Sequence, residues 1–308
     1  MFSKRIYSLL LSLLCLGGAI YFFSQKTDSR MPSVPKEQCL EINTGDTAGK
    51  LKDLLKDADM TTILKLTVEG TIGTTDLQTI KELCTSPGKL AVVDLSNADI
   101  VSKVIPEKAF DHCESLSYIA LPEDIVHIGK MAFLECVNLT AFSFPEKVKE
   151  VPGYMFYNCG ALTAVDFAEG IDIVGVFAFD GCTSLLELKL PKSLKKIEEI
   201  AFYGCTSLTE VSIPEGVTHI GKYAFSRCFN LKSASIPSTV TSIGPWAFGG
   251  CDKLSNVMIH AKQAPQVTID SFSKWSRLKL FVPKGCLSAY KAATNWNRFE
   301  ENLFEMQD

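Results

Sequence analysis

The chain has no excess of positive charge. Its 31 lysines and arginines are outnumbered by 35 acidic residues, for a net charge of -4. A nucleic-acid binder needs a basic face for phosphates, so that class is set aside. Histidine is scarce, with four residues, and no His-Glu-x-x-His, Gly-x-Ser-x-Gly or phosphate-binding glycine loop occurs. The acidic residues scatter among turns such as Pro122-Glu123 and Pro214-Glu215. They read as solubilising charge, not as a paired acid and base. No enzyme and no cofactor are expected. Cysteine, at eleven in 308 residues, is too dilute for a disulfide scaffold, which starts at roughly 8–10%. No closely spaced pair of the kind that holds zinc is present, so no metal is expected. What the chain does have is an ordinary apolar fraction of 46%, enough to bury a core.

Lys4 and Arg5 precede an apolar run from Ile6 to Phe23. A basic start, an apolar stretch and a polar exit make residues 1–23 an export signal or membrane anchor. Three fates stay open: lipidation at Cys15 in Leu13-Leu14-Cys15-Leu16, retention as a signal anchor, or cleavage. Each puts the remaining chain outside the cytoplasm, at the cell surface, in the outer membrane or secreted. Membrane contact is expected only through this segment. Residues 24–38 are polar, contain two prolines and read as a flexible tether.

Seven cysteines recur at one fixed spacing of 23: Cys113, Cys136, Cys159, Cys182, Cys205, Cys228 and Cys251. Phe110, Phe133, Phe156, Phe179, Phe202, Phe225 and Phe248 each stand three residues earlier. A leucine follows each cysteine by three, from Leu116 to Leu254. Seven such units fill residues 105–265, and a period this strict is the signature of a repeat solenoid. Within one unit, Val211 and Ile213 alternate around Ser212, as in a strand with one face buried. Pro214 ends that strand, because proline cannot donate to a ladder. Val217 and Ile220 give a second short stretch, and Gly221 permits a bend. One coil cannot bury its apolar side, but a stack of seven can. Stacking puts each Phe over the next in an aromatic ladder. The cysteines read as small buried residues whose thiols donate to backbone carbonyls.

The spans IGKMAFLECVNLTAFSFPEKV, IEEIAFYGCTSLTEVSIPEGV and IGKYAFSRCFNLKSASIPSTV closely resemble leucine-rich repeats of the BspA-like type. The resemblance implies a repeat solenoid, mainly β, built as a right-handed stack of 23-residue coils and capped at both ends. An N-terminal cap with degenerate repeats would occupy 39–104, with strands at 63–68 and 90–95 and helices at 51–58 and 76–83. A closing cap would occupy 266–308, around Leu280-Phe-Val-Pro283, Tyr290, Trp296 and Phe299. Unit 3 departs from the pattern with Ala168 in place of proline, and unit 7 with His260 followed by AKQAPQ. The resemblance also implies a bacterial cell-surface or secreted protein, several relatives being associated with adhesion.

The strand positions that face away from the core form a candidate binding face. They are Tyr118, Ser143, Asp166, Glu187, Lys189, Glu210, Ser212, Lys232, Ser235, Asn256 and Met258. The face is small and polar and lacks the aromatic and arginine anchors of tight interfaces. His127 and His219 share a solvated edge position. Asn138-Leu139-Thr140 is a glycosylation sequon on a core-facing segment. Cys39 and Cys84 flank the first cap, where an oxidising compartment would allow them to pair. Trp246, Trp275 and Trp296 are expected to pack the closing cap. Two functions fit. One is a monomeric, non-enzymatic surface protein that mediates protein contacts or cell adhesion. The other is a binding module for an extracellular glycan or peptide in an envelope or nutrient-uptake system.

Overall fold

The coils from residue 104 onward carry two short strands each, except the one through residues 186–190, which carries one, and every pairing between coils is parallel. The computed structural model describes residues 30–85, 87–272 and 277–307. The expected export signal with Cys15, residues 24–29 of the expected tether and Trp275 therefore lie outside the described residues. From Met31 on, the chain is one unit.

The first strand of a coil holds its alternate residues inward. In Glu210–Ser212, Val211 is 3% exposed while its two neighbours face solvent. Equivalent strands include Tyr118–Ala120, Ala141–Ser143, Ala164–Asp166, Ser233–Ile236 and Asn256–Ile259. The second strands run from Val104–Ile105 to Gln266–Val267. Register partners such as Ala141 and Ala164, or Ile197 and Ile220, are one period apart. The last step is longer by one residue, pairing Ser242 with Gln266, because Ala261–Pro265 holds an extra residue.

The phenylalanine column is a continuous ladder. Rings from Phe110 to Phe248 stack with centroids 5.1 to 5.8 Å apart and interplanar angles of 6 to 23°. The spacing exceeds one strand separation of about 4.8 Å because the rings stack offset. Phe272 adds a further ring, 5.4 Å from Phe248, within the region where the sequence placed only the closing cap. Trp296 and Phe299 then cover that ring. Both polar handles of this end are satisfied: Tyr290 donates its hydroxyl to the Ala261 carbonyl and Trp296 its Nε1 to the Pro265 carbonyl, each at 2.6 Å.

The cysteine column runs beside the rings. Each thiol donates to the carbonyl of the preceding coil's Phe: Cys136 to Phe110 at 3.0 Å, Cys182 to Phe156 at 3.2 Å, Cys251 to Phe225 at 3.1 Å. Cys113 reaches Lys81 in the helix Thr74–Cys84 instead, at 3.8 Å. Cys84 and Cys39 do not pair, contrary to the arrangement an oxidising compartment would allow; both are free thiols. Cys84 is buried at the helix end against Cys113 and so heads the thiol column. Cys39 begins the strand Cys39–Asn43 and donates to the Pro35 carbonyl at 3.3 Å.

The cap ahead of the repeats consists of Cys39–Asn43 and Lys65–Ile72, the helices Leu51–Leu55 and Thr74–Cys84, and Val92–Asp94. The first helix is shorter than the sequence suggests. Asp76, 1% exposed, ties this region together. Its carboxylate accepts backbone N–H bonds from Gly49, Leu51 and Gly73 at 2.6 to 2.9 Å.

Gly221 serves a close approach rather than a left-handed bend. A Cβ there would lie 2.5 Å from the backbone carbon of Glu198 in the preceding coil. The first-strand side of the stack is interrupted at residues 186–190. These residues form no strand and neither donate nor accept a backbone hydrogen bond. The inward row changes here from Phe144 and Phe167, stacked at 5.7 Å, to Leu190. On the other side, Ile173–Val174, Lys196–Ile197 and His219–Ile220 stay paired.

Candidate functional site

On the strand face, the structure puts Asp166, Glu187, Lys189, Glu210, Ser212, Lys232, Asn256 and Met258 at the surface, with Ser143 and Ser235 half-buried. Lys189 and Glu187 form an ion pair at 3.0 Å, which holds the lysine above its ordinary pKa. Ser235 meets the His260 ring at 3.1 Å. Tyr118 departs from the expectation. It is 3% exposed, because it lies in register with Val92, itself 1% exposed, in a buried apolar patch at the first coils. The other end of the face carries a feature the sequence did not reveal. Met258, Phe281 and Phe304 are successive register partners and make an apolar stripe, with Met258 45% and Phe304 40% exposed. Phe281 and Phe304 fall in the region taken as the closing cap, so their place in the strand row was hidden.

A second site lies on the turn between the second strand and the Phe-Cys segment. Tyr154, Phe177, Ile200, Tyr223 and Trp246 occupy the same place in successive coils, all with φ between 56 and 60°. Left-handed backbone disfavours bulky and β-branched side chains by roughly 1–2 kcal/mol each, yet these are large. Tyr154 stacks on Phe177 at 4.6 Å, and Tyr223 on Trp246 at 6.5 Å. Trp246, expected to pack the closing cap, does not do so: it stands on this turn, which thrusts it outward, and it is 41% exposed. Trp296 does pack the cap, fully buried.

Between Phe177 and Trp246 the turn forms an open groove of about 530 Å³. Its floor carries Asp180 and Tyr203 in adjacent coils. Arg227 stands over the Tyr203 ring at 5.6 Å, and Lys222 over Tyr223 at 5.1 Å. Burial alone raises the Asp180 pKa to about 6. Among the described residues, no hydrogen-bond or ion-pair partner meets that carboxylate.

The remaining singled-out residues serve the stack. His127 and His219 are exposed, and the His219 ring faces the Ser242 hydroxyl at 2.8 Å. Asn138 is exposed rather than core-facing, and its amide donates to the Glu114 carbonyl at 2.7 Å. Among the described residues no group of three or more His, Cys, Asp or Glu could hold a metal ion. No helix among them is long and apolar enough to cross a membrane.

A family model described as the BspA type leucine rich repeat region matches residues 103–202 and 172–293, in six copies. The chain belongs to the BspA-type leucine-rich repeat family. Its mainly β solenoid, with the Phe and Cys columns, is that family's repeat in three dimensions. Among solved structures, a leucine-rich repeat protein from Bacteroides ovatus is 30% identical over 52% of this chain, with a TM-score of 0.45. The chain spans 43% of that protein's length. The pneumococcal vaccine antigen PcpA is 19% identical, with 81% of this chain and 80% of that one covered and a TM-score of 0.47. A leucine rich cell surface protein from Faecalibacterium prausnitzii is 19% identical, covering 89% and 88%, with a TM-score of 0.34. No curated protein matches.

Proposed function

We propose that this BspA-type protein is exported and displayed at the cell surface, where it acts by binding another protein rather than by catalysis. The observation that carries the reading is the strand face. Exposed side chains of both charges, Glu187, Lys189, Glu210 and Lys232, lead along the stack to the apolar Met258–Phe281–Phe304 stripe. A polar field that ends in exposed apolar side chains matches the rim and core of a protein interface. A glycan module would need flat ring faces, and the rings on the turn side are stacked on one another. Adhesion to host proteins or to other cells follows if the partner is extracellular.

The test is a binding screen of the full chain against extracellular matrix proteins and a glycan array, with Met258→Asp and Phe304→Asp as face variants. Protein hits weakened by these variants support the reading. Glycan hits without protein hits would replace it by the module reading. Residues 1–23 would carry the chain out, with Cys15 lipidation as one of three ways to end the process. Fatty-acid labelling that disappears in Cys15→Ser identifies the lipid route; labelling absent from the wild type leaves anchor or cleavage.

A further inference from the structure

We propose that the groove between Phe177 and Trp246 binds a lysine or arginine side chain, carried on an extended segment of a partner protein, with its cation over the Asp180 carboxylate. The proposal rests on the reading of this chain as a protein-binding module, but it uses a different face.

Asp180 carries the argument. It is half-buried in a column whose neighbours in adjacent coils are Tyr157 and Tyr203, with Phe177 alongside on the same turn. A desolvated carboxylate without a partner is costly, and the structure supplies it none among the described residues. An incoming cation would remove that cost. The rings around it supply a second attraction, since ammonium and guanidinium groups are drawn to aromatic faces within about 6 Å. Arg227 already makes such a contact on the Tyr203 ring at 5.6 Å, so the ring accepts a cation where it stands.

The walls favour an extended chain. Gly181 and Gly204 follow Asp180 and Tyr203, and both have φ near 70°. At Gly204 the missing side chain leaves the space beside the carboxylate free, since a Cβ there would lie 4.0 Å from the Asp180 Oδ1, whereas the Asn158 side chain fills the place of a Cβ on Gly181. The facing wall is the row of Phe177, Tyr223 and Trp246, held outward by left-handed backbone where glycine would cost less.

Charge sets a direction. Arg227 lies two coils beyond Asp180, about 10 Å away at one strand spacing per coil. An extended chain covers that distance in about three residues. A segment with a basic residue over Asp180 and an acidic one toward Arg227 would satisfy both ends. A segment with two basic residues at that spacing would meet Arg227 and be disfavoured.

The experiment uses the full chain, isotopically labelled, titrated with three blocked pentapeptides: glycines around a central Arg, Lys or Glu. The Arg and Lys peptides should move the Gly181 and Gly204 amide resonances, and the Glu peptide should not. Asp180→Asn should weaken the Arg peptide by about tenfold without lowering the unfolding midpoint. Met258→Asp should leave it unchanged. No movement with Arg or Lys at the highest soluble concentration overturns the proposal. So does an equal response to Glu, or undiminished binding by Asp180→Asn. Because the strand face is not involved, any of these failures leaves the interface reading of that face standing, and loss of the latter does not touch this groove.

Discussion

The thiol of Cys205 donates to the backbone carbonyl of Phe179 in the preceding coil, at 3.4 Å, and its own coil's Phe202 stacks on Phe179 at 5.1 Å. Phe179 thus takes both a thiol hydrogen bond and a ring contact from the next coil at the same step of the solenoid. Burial pushes the Cys205 thiol well above its ordinary value of 9.0, and Cys251 to about 12. A thiol without thiolate character does not react. In timed alkylation followed by mass spectrometry, Cys182 and Cys205 should label far more slowly in the native protein than the half-buried Cys39 and Cys286. Fast native labelling of Cys205 would refute its placement. Both the folded and the unfolded state keep this proton below pH 9.0. As pH rises above that value the unfolded state ionises first, so stability falls.

Phe202 is fully buried between Phe179 and Phe225, 5.1 Å from each. Phe202→Ala should cost about 3–5 kcal/mol, through lost transfer energy and a cavity in a stack that cannot collapse along its axis. Denaturant unfolding measures it. An unchanged midpoint would mean the ring column is not core.

Those columns are what the sequence discloses most plainly. Phe, Cys and Leu repeat as identical letters at identical spacing, because each must fit the same slot between the same neighbours. Phe272 belongs to the ring column but escapes the period, since one extra residue near Ala261–Pro265 shifts it to 24 after Phe248. The turn groove was illegible for another reason. Tyr154, Phe177, Ile200, Tyr223 and Trp246 share a place but not an identity, and their floor and far wall come from two other columns. Trp246 read as a cap residue because it is late in the chain, and Tyr118 as exposed because its row is. Exposure depends on what packs against a position, which spacing does not encode.

Asp180→Asn should stabilise the fold at neutral pH. The folded pKa of about 6 exceeds the ordinary 3.8, so the group favours the protonated folded state. Below pH 3.8 both states are protonated and the variant gains nothing. Between 3.8 and 6 the wild type loses stability as pH rises, and above 6 the loss is complete. The site is half open to solvent, so the advantage at pH 7 is about 1 kcal/mol after screening. Thermal unfolding of both proteins at pH 4 and pH 7 compares the two. A variant no more stable at pH 7 than at pH 4, relative to wild type, would argue that Asp180 is solvated.

Gly221→Ala should destabilise by about 1–3 kcal/mol, since its methyl would overlap the Glu198 backbone and force two coils apart. Gly285→Ala is the control on space. Its added Cβ meets nothing within 4 Å, and the cost there is that of a positive φ alone. Equal unfolding midpoints for the two variants would remove the close-contact argument.

Backbone amides at residues 186–190 should exchange with solvent faster than those of Glu210–Ser212, since the former have no hydrogen-bonded partner in either neighbouring coil. Hydrogen-exchange mass spectrometry resolves the two segments. Equal protection would mean that the strands pair in solution.

That unbonded stretch has a mechanical consequence. At its level the other side of the stack stays laced, from Ile173–Val174 through Lys196–Ile197 to His219–Ile220. A column fastened along one edge and open along the other does not yield equally in all directions. Load along its length would part the coils on the Leu186–Leu190 side first, turning the laced edge into a pivot. Asp180 belongs to the same coil as the unbonded stretch, so pulling on a partner held at that carboxylate would strain the joint beside its own binding site.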